Sequence, residues 1–281
     1  MQSSDELLKA LSRSLSEARS LPRPDLSGDL LIISSQDAAP AARVLYVGAL
    51  SSGARAVITG ATEASVLLMP YREVNRVVAY ALSPRDSRVV RAVEEALMLG
   101  SEVYLIAPPL HEALEERLSR REGLRRIEVP TSAPLMTMIF ASALWSPRPM
   151  GARSSRVEAE LQALDEAPQW VLQTFSRQAT EVANLTGFSA FYTPAAEPGA
   201  RYLCLASDRC DCARPLDELA RFRGGTAVLI ETTSESHDYG DVEIGAAARG
   251  VRIVKVVINT DPITAGVYSA IFGAIATGRV L

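Results

Sequence analysis

The sequence predicts an α/β protein built from two halves, each a parallel sheet flanked by helices. The prediction rests on a unit that occurs twice: an apolar strand, a hydroxyl-rich loop, a helix that ends at a glycine, and a second apolar strand. The first copy spans residues 77–106 and the second spans residues 227–258. Short apolar runs rich in β-branched residues that alternate with helical patterns are typical of parallel strands buried on both faces.

The length and composition of the chain fit two globular domains. It has 281 residues, of which 48% are hydrophobic and 22% are charged, so a large core is expected and disorder is not. The net charge of −4 gives no sign of the basic face that nucleic-acid binding requires. The first 21 residues are polar and amphipathic, and no apolar stretch reaches the ~20 residues of a membrane span. We therefore expect a cytoplasmic protein without nucleic-acid or membrane partners.

The first half, residues 1–150, is expected to carry a leading helix and five strands. Leu7, Leu8, Leu11 and Leu15 follow a helical spacing and predict an amphipathic helix that serves packing or dimerisation. Strands are expected at residues 30–33, 56–59, 77–82, 103–106 and 126–129. Helices are expected at about residues 40–50, 111–121 and 133–144, and a further helix is expected to end at residue 100.

Proline and glycine cluster over residues 146–156 and mark the boundary between the halves. The second half, residues 151–281, begins with a long helix or helix pair at about residues 156–185. A strand at residues 188–192 and an apolar run at residues 202–205 precede the second copy of the unit. A closing helix at residues 263–276 shares the apolar character of residues 133–144, so both halves end alike.

Polar loops follow the first strand of each copy of the unit, at residues 83–88 and 232–236. Ligands of open α/β sheets bind outside the carboxyl ends of the strands, where amides at the start of the next helix favour an anion. Hydroxyl and amide groups at this place suit a phosphate. The same serine and threonine side chains also suit N-caps of the following helix. The residues alone leave both interpretations open.

This order of elements resembles that of the sugar isomerase (SIS) domain family. Ser34, Ser35 and Gln36 lie where the family has a first loop rich in glycine and serine. The loop at residues 83–88 lies where the family has Ser-x-Ser-Gly-Glu/Asn-Thr, and Ser83 matches that pattern in register. Residues 129–134 look like the strand and loop that lead into the family's closing helix. A two-SIS chain of this length also resembles archaeal phosphoglucose/phosphomannose isomerases and the isomerase half of glucosamine-6-phosphate synthase.

The resemblance implies a flavodoxin-like fold in each half, a sugar phosphate as the ligand, and a homodimer. Arg85 and Arg88 suit such a ligand because guanidinium groups bind phosphate bidentately. Asp86 stands where the family usually has glycine, so it adds negative charge to the loop. The residues expected to bind the ligand are Ser34, Ser35, Gln36, Ser83, Arg85, Ser87, Arg88, Thr131 and Ser132.

Aldose–ketose isomerisation needs a group that opens the sugar ring and a base that moves a proton between two carbons. The candidates in this chain are His237, Glu231 and Glu235, all in or beside the second polar loop. Each also suits a surface, capping or salt-bridged role. Lys255 lies inside an apolar run, where it is interpreted as a lysine with its ammonium in water or paired.

The cysteines give no sign of a metal site, and no cofactor or metal is expected. Cys204, Cys210 and Cys212 lie within nine residues but lack the fourth ligand of a zinc pattern. They are interpreted as buried or free thiols.

Three functions fit these observations. The favoured one is a phosphosugar-binding SIS-domain protein whose catalytic apparatus is altered or lost, because the loop glycines are missing and histidine is scarce. The second is an active sugar-phosphate isomerase of the phosphoglucose/phosphomannose type, which needs a working glutamate and His237. The third is a non-catalytic dimeric scaffold whose sites are vestigial.

Overall fold

The computed structural model describes residues 3–71, 73–149 and 151–281. The chain divides into two compact units. The first unit comprises Ser14–Gly151, and the second comprises the residues up to Arg13 together with Ala152–Leu281. No helix within the described ranges is long and apolar enough to cross a bilayer.

The first unit holds a five-stranded sheet in which every paired strand is parallel to its neighbour. Its strands are β1 (Leu30–Ser34), β2 (Ala56–Gly60), β3 (Arg76–Tyr80), β4 (Glu102–Ala107) and β5 (Leu124–Glu128). Its helices are the end of α1 (Ser4–Ser20), then α2 (Ala39–Ser51), α3 (Ala61–Glu63), α4 (Ser87–Met98), α5 (Glu112–Ser119) and α6 (Pro134–Trp145). The strand order is β2-β1-β3-β4-β5, and β1 is buried along its whole length.

The second unit holds a four-stranded parallel sheet in the order β7-β6-β8-β9. Its strands are β6 (Phe188–Tyr192), β7 (Cys210–Pro215), β8 (Thr226–Thr232) and β9 (Arg252–Ile258). Its helices are α7 (Ala152–Gln162), α8 (Ala167–Ala183), α9 (Glu197–Ala206), α10 (Gly240–Ala248) and α11 (Pro262–Thr277). The α/β class with two helix-flanked parallel sheets is confirmed.

The repeated unit corresponds to β3, α4 and β4 in the first sheet and to β8, α10 and β9 in the second. Gly100 and Gly250 follow the two helices, and each has a φ of +83°. Glycine adopts this left-handed conformation without the steric cost that a Cβ imposes, so each helix can stop and turn into its strand.

The sequence analysis missed strand β7. The apolar run at residues 202–205 lies instead in helix α9, where Tyr202 and Leu203 are buried and Leu205 is exposed. Strand β7 is polar and half-exposed because it is an edge strand, so it lacks the apolar run that marks the inner strands.

The interpretation of the cysteines is corrected in part. Cys204 and Cys210 form a disulfide, and Cys212 is the free thiol. The last turn of α9 and the start of β7 place the Cα atoms of the bonded pair 4.9 Å apart, within the range that a disulfide bridges.

Each sheet has one point where the chain reverses its direction of winding. In the first sheet β2 lies on one side of β1, while β3 and β4 follow on the other. In the second sheet β7 lies on one side of β6, while β8 and β9 follow on the other. These switch points leave a crevice outside the carboxyl ends of β1 and β3 and of β6 and β8, where open α/β sheets bind their ligands.

Candidate functional site

The β1–α2 loop carries the first three predicted ligand-binding residues. Ser34 ends strand β1, and both it and Ser35 are buried. The amide of Ser35 donates to the carbonyl of Tyr80 at 3.0 Å, which fixes this loop against the end of β3. The hydroxyl of Ser35 donates to the carboxylate of Asp37. Gln36 follows in the same turn.

The α2 helix starts without a side-chain cap among the described residues, and Pro40 occupies its first turn. Proline has no amide hydrogen to leave unpaired at this position. The N-terminus of α2, close to Ser35 in sequence, therefore has no side chain that caps its backbone amides. Such a helix N-terminus favours an anion.

The β3–α4 loop carries four predicted residues around Asp86. Ser83 is half-buried, and its hydroxyl accepts from the amide of Arg85 at 3.3 Å. Ser87 is the first residue of α4, and the side chain of Arg88 is 71% exposed. Arg85 is also exposed, so this loop presents two guanidinium groups to solvent.

Asp86 caps helix α4. It is only 8% exposed, and its Oδ1 accepts from the amides of Arg88 at 3.1 Å and Val89 at 3.2 Å. A phosphate at a helix N-terminus uses the same amides. The carboxylate of Asp86 therefore occupies the position at the N-terminus of α4 that a bound anion would take.

The β5–α6 loop is set apart from the other two. Thr131 and Ser132 are exposed, and β5 is the edge strand, separated from β3 by β4 and thus by about 10 Å. The hydroxyl of Ser132 lies 3.4 Å from both carboxylate oxygens of Glu17 on α1, and the hydroxyl of Thr137 donates to Glu17 at 3.3 Å. The structure joins this loop to α1 and brings only the first two loops together.

A carboxylate contacts each of the three loops of the first unit. Asp37 accepts from the hydroxyl of Ser35, Asp86 from the amide of Arg88, and Glu17 from the hydroxyl of Ser132, all residues that the sequence analysis assigned to a ligand. Nε of Arg88 lies 3.8 Å from Oδ1 of Asp86 and offsets that charge. At α4 the amides are already bonded to Asp86, so the exposed guanidinium groups of Arg85 and Arg88 are the cationic groups available to an anion there.

The switch point of the second unit is closed by hydrogen bonds within the chain. Thr193, after β6, accepts from the amide of Thr232 at 3.2 Å. The carboxylate of Glu235 accepts from the hydroxyl of Thr232 at 2.6 Å and from the amide of Ala195 at 3.3 Å. These bonds tie the two loops to each other, and Glu235 is their common acceptor.

Glu231 lies in strand β8 and is fully buried. Its Oε2 is 3.1 Å from Nζ of Lys255 on β9, and Lys255 also donates to Glu243 on α10. Burial raises the pKa of Glu231 to about 7, and the charge of Glu243 adds to the shift, while Lys255 opposes it. Burial disfavours the ammonium of Lys255, but hydrogen bonds with Glu243 and Glu231 outweigh it and raise the pKa of Lys255.

The three predicted catalytic residues do not converge. His237 is exposed in a short turn over Ser236–Tyr239, with no hydrogen bond to Glu231 or Glu235 among the described residues. Glu235 is bonded towards the loop after β6, whereas Glu231 pairs with β9 and α10. The part of the chain that the structure describes holds no group of three or more His, Cys, Asp or Glu side chains able to bind a metal ion.

Sequence reasoning missed the acids that complete these networks. Glu17 and Glu243 stand in amphipathic or exposed helical segments, where a glutamate gives no signal of its own. Lys255 is the residue whose position in the sequence indicates a missing acid. It lies inside an apolar run, and a charged side chain there requires a buried or half-buried partner of opposite charge.

No protein-family model and no curated protein matches this sequence. Solved structures do match. The C-terminal domain of glucosamine-fructose-6-phosphate aminotransferase from Francisella tularensis is 13% identical, with a TM-score of 0.64 over 99% of this chain and 96% of that one. Glucosamine-6-phosphate deaminase from Thermotoga maritima is 13% identical, with a TM-score of 0.63 over 97% of this chain and 91% of that one.

Tagatose-6-phosphate ketose/aldose isomerase from Escherichia coli is 12% identical, with a TM-score of 0.60 over 97% of this chain and 86% of that one. At these identities the similarity shows the fold. The SIS-type fold that the sequence resemblance predicted is confirmed.

Proposed function

We propose that this protein binds a phosphosugar at the switch point of its first unit, between the β1–α2 and β3–α4 loops. The observation that carries the proposal is the meeting of two hydroxyl-bearing loops there, on adjacent strands, with Arg85 and Arg88 exposed beside them. Solved structures of the same fold bear names of glucosamine-6-phosphate and tagatose-6-phosphate enzymes, which supports this ligand class.

Each side chain has a role in the proposal. Arg85 and Arg88 bind the phosphate, because Asp86 already holds the helix amides that would otherwise do so. Ser83 and Ser87 donate to phosphate oxygens, while Ser34, Ser35 and Gln36 bind sugar hydroxyls. Thr131 and Ser132 stay a prediction, since a ligand that contacts Ser132 must displace Glu17.

Catalysis is a second candidate activity, favoured by one observation. Glu231 has a pKa of about 7, which suits a general base at neutral pH, and it lies beside a charged lysine. As an aldose–ketose isomerase the chain would use Glu231 or Glu235 as the base and His237 for ring opening. Glu235 is bonded towards the loop after β6, Glu231 pairs with Lys255, and His237 is exposed. Because the three side chains do not converge, this activity requires ligand binding to bring them together.

The proposal includes a cytoplasmic homodimer. Large exposed hydrophobic side chains occur together on the first unit, where Tyr71 is 83% exposed and Leu99 is 61% exposed on the rim of the same groove. Exposed apolar surface of this kind is typical of a contact with another protein subunit.

Thermal unfolding in the presence of sugar 6-phosphates tests the binding proposal. A ligand that binds only the native state raises Tm, so we expect a shift with one sugar 6-phosphate and none with the free sugar. The double variant R85Q/R88Q should lose the shift. R91Q is the matched control, because Arg91 is an exposed arginine on the same helix that pairs with Glu95. If no sugar phosphate raises Tm at millimolar concentration, the vestigial scaffold replaces this proposal.

A further inference from the structure

Strand β2 has one backbone edge that pairs with no other strand of the described sheet. It pairs with β1 alone, in unbroken register from Ala56 to Gly60. The amide of Leu30 donates to the carbonyl of Arg55, so position 55 faces β1, and the alternate positions 57 and 59 face it too. The backbone N–H and C=O groups of Ala56 and Ile58 therefore point away from the sheet.

The other three sheet edges carry features that oppose the addition of a further strand. Charged side chains, proline and bulges have this effect on an edge. Strand β5 has Arg125, Arg126 and Glu128, β9 has Arg252 and Lys255, and β7 has Asp211, Arg214, Pro215 and a break in its register. Strand β2 has the sequence Ala-Val-Ile-Thr-Gly and contains none of these features. It is therefore the edge that is open to strand addition.

Exposed leucines flank the β2 edge on both faces of the sheet, because right-handed crossovers place the connections before and after β2 on opposite faces. On one face, Gly48 of α2 packs against the end of α6, and Leu50, two residues on, faces the other way and is 47% exposed. On the other face, Ser65 hydrogen-bonds to α4, and Leu67, two residues on, faces away from α4 and is 61% exposed. A strand pair alone buries less than the roughly 800 Å² per partner of a stable interface, and these leucines enlarge the apolar contact.

We propose that a second copy of this chain adds to this edge, with the two β2 strands antiparallel about a two-fold axis at Ile58. The two copies of Ile58 then exchange a pair of hydrogen bonds, because their backbone groups both point outwards. The two five-stranded sheets join into one continuous sheet. This inference rests on the homodimer of the proposed function and specifies its surface, and it does not depend on phosphosugar binding.

Charge complementarity favours a second copy in this orientation. Arg55, Val57 and Thr59 share one face of the sheet, since side chains alternate along a strand. In the antiparallel pair Val57 lies opposite the partner's Thr59, and Arg55 is the diagonal neighbour of that threonine, at about 7–8 Å. Glu63 accepts from the hydroxyl of Thr59 at 2.6 Å, and both Arg55 and Glu63 are exposed. Arg55 of each copy therefore reaches the partner's Glu63, and the two-fold axis makes this ion pair twice.

Charge-reversal variants test the proposal in the full-length protein. R55E and E63R each replace attraction by repulsion at two symmetry-related contacts, so the dimer Kd should rise about tenfold or more. The double variant R55E/E63R restores opposite charges and should return Kd to within about threefold of wild type. R223E is the matched control, because Arg223 is an exposed arginine of the second unit, and its Kd should equal that of wild type. Sedimentation velocity over a dilution series measures Kd.

A proline variant tests the backbone pairing. A56P removes an outward amide at the first residue of an edge strand, where proline is tolerated, so circular dichroism should be unchanged while Kd rises at least about tenfold. Failure of the double variant to rescue R55E would overturn the inference. A dimer with one Kd in wild type and all variants would also overturn it and leave the homodimer to the groove beside Tyr71 and Leu99. A monomeric wild type would overturn both, whereas a Tm shift with a sugar 6-phosphate would still support phosphosugar binding. If A56P does not fold, the charge-reversal series decides.

Discussion

The carboxylate of Asp86 accepts a hydrogen bond from the backbone amide of Val89 at 3.2 Å, deep in the loop that was expected to bind phosphate. This bond makes Asp86 the N-cap of α4 and places a fixed negative charge beside Arg85 and Arg88. The side chain therefore has two opposing effects: it stabilises the helix and weakens the attraction of the loop for an anion.

Substitutions of Asp86 separate these two effects. Asparagine caps a helix about as well as aspartate but has no charge, so D86N should keep the stability of the protein and bind a sugar phosphate more tightly. D86A should lower the free energy of unfolding by about 1 kcal/mol because it removes the cap. Calorimetric titration and chemical denaturation measure the two quantities. Weaker binding by D86N would mean that the phosphate does not lie at this loop.

The hydroxyl of Ser83 should contribute to ligand binding but little to folding. It lies half-buried in a surface loop, where it accepts a hydrogen bond from the amide of Arg85 at 3.3 Å. S83A should weaken sugar-phosphate binding by about two- to tenfold, as expected for the loss of one hydrogen bond. Circular dichroism should show an unchanged Tm without ligand. Unchanged affinity would remove Ser83 from the site.

The ionisation of Glu231 should make the protein less stable as pH rises towards neutrality. Its pKa is raised from about 4.5 in the unfolded chain to about 7 in the fold, so the native state holds the proton more tightly. This contribution is fully present below pH 4.5 and is lost as pH rises through 7. E231Q removes the titration. The free energy of unfolding of wild type should therefore fall relative to that of E231Q between pH 4.5 and 7.

Urea denaturation across this pH range measures the difference. E181Q is a matched control, because Glu181 is a surface glutamate of the same unit that pairs with Arg252. Its pH profile should run parallel to that of wild type. A wild-type profile parallel to that of E231Q as well would show that Glu231 stays ionised in the fold.

Helices α9 and α11 pack closely enough to require glycine at position 199. A Cβ at Gly199 would lie 2.2 Å from Cβ of Ser269 and 2.5 Å from its backbone carbonyl carbon. G199A should therefore lower the free energy of unfolding by about 1–3 kcal/mol or more, because backbone has to move. At Gly245 of α10 the nearest atom to a Cβ is the flexible end of Arg249 at 3.3 Å. G245A should be neutral or stabilising by up to about 1 kcal/mol. Equal effects of the two substitutions would contradict the close packing.

Local sequence patterns are enough to predict the succession of inner strands and helices along the chain and the position of the polar loops. These features are local: the buried strands β1, β3 and β8 are apolar runs, Gly100 ends the helix between β3 and β4, and Gly250 ends the helix between β8 and β9. The same pattern predicts that residues 34–36 and residues 83–88 lie at the carboxyl-end edge of the sheet, because parallel strands present their following loops at one edge.

The groups that complete the sites are brought together by packing between distant parts of the chain. Glu17 meets Ser132 across 115 residues of chain, and the order β2-β1-β3-β4-β5 sets Ser132 at the sheet edge instead of beside Ser83. Lys255 of β9 forms an ion pair with Glu243 of α10. Strand β7 has no apolar signal because an edge strand buries little side-chain surface. Such pairings depend on long-range packing, and a single glutamate in an exposed helical pattern carries no information about its distant partner.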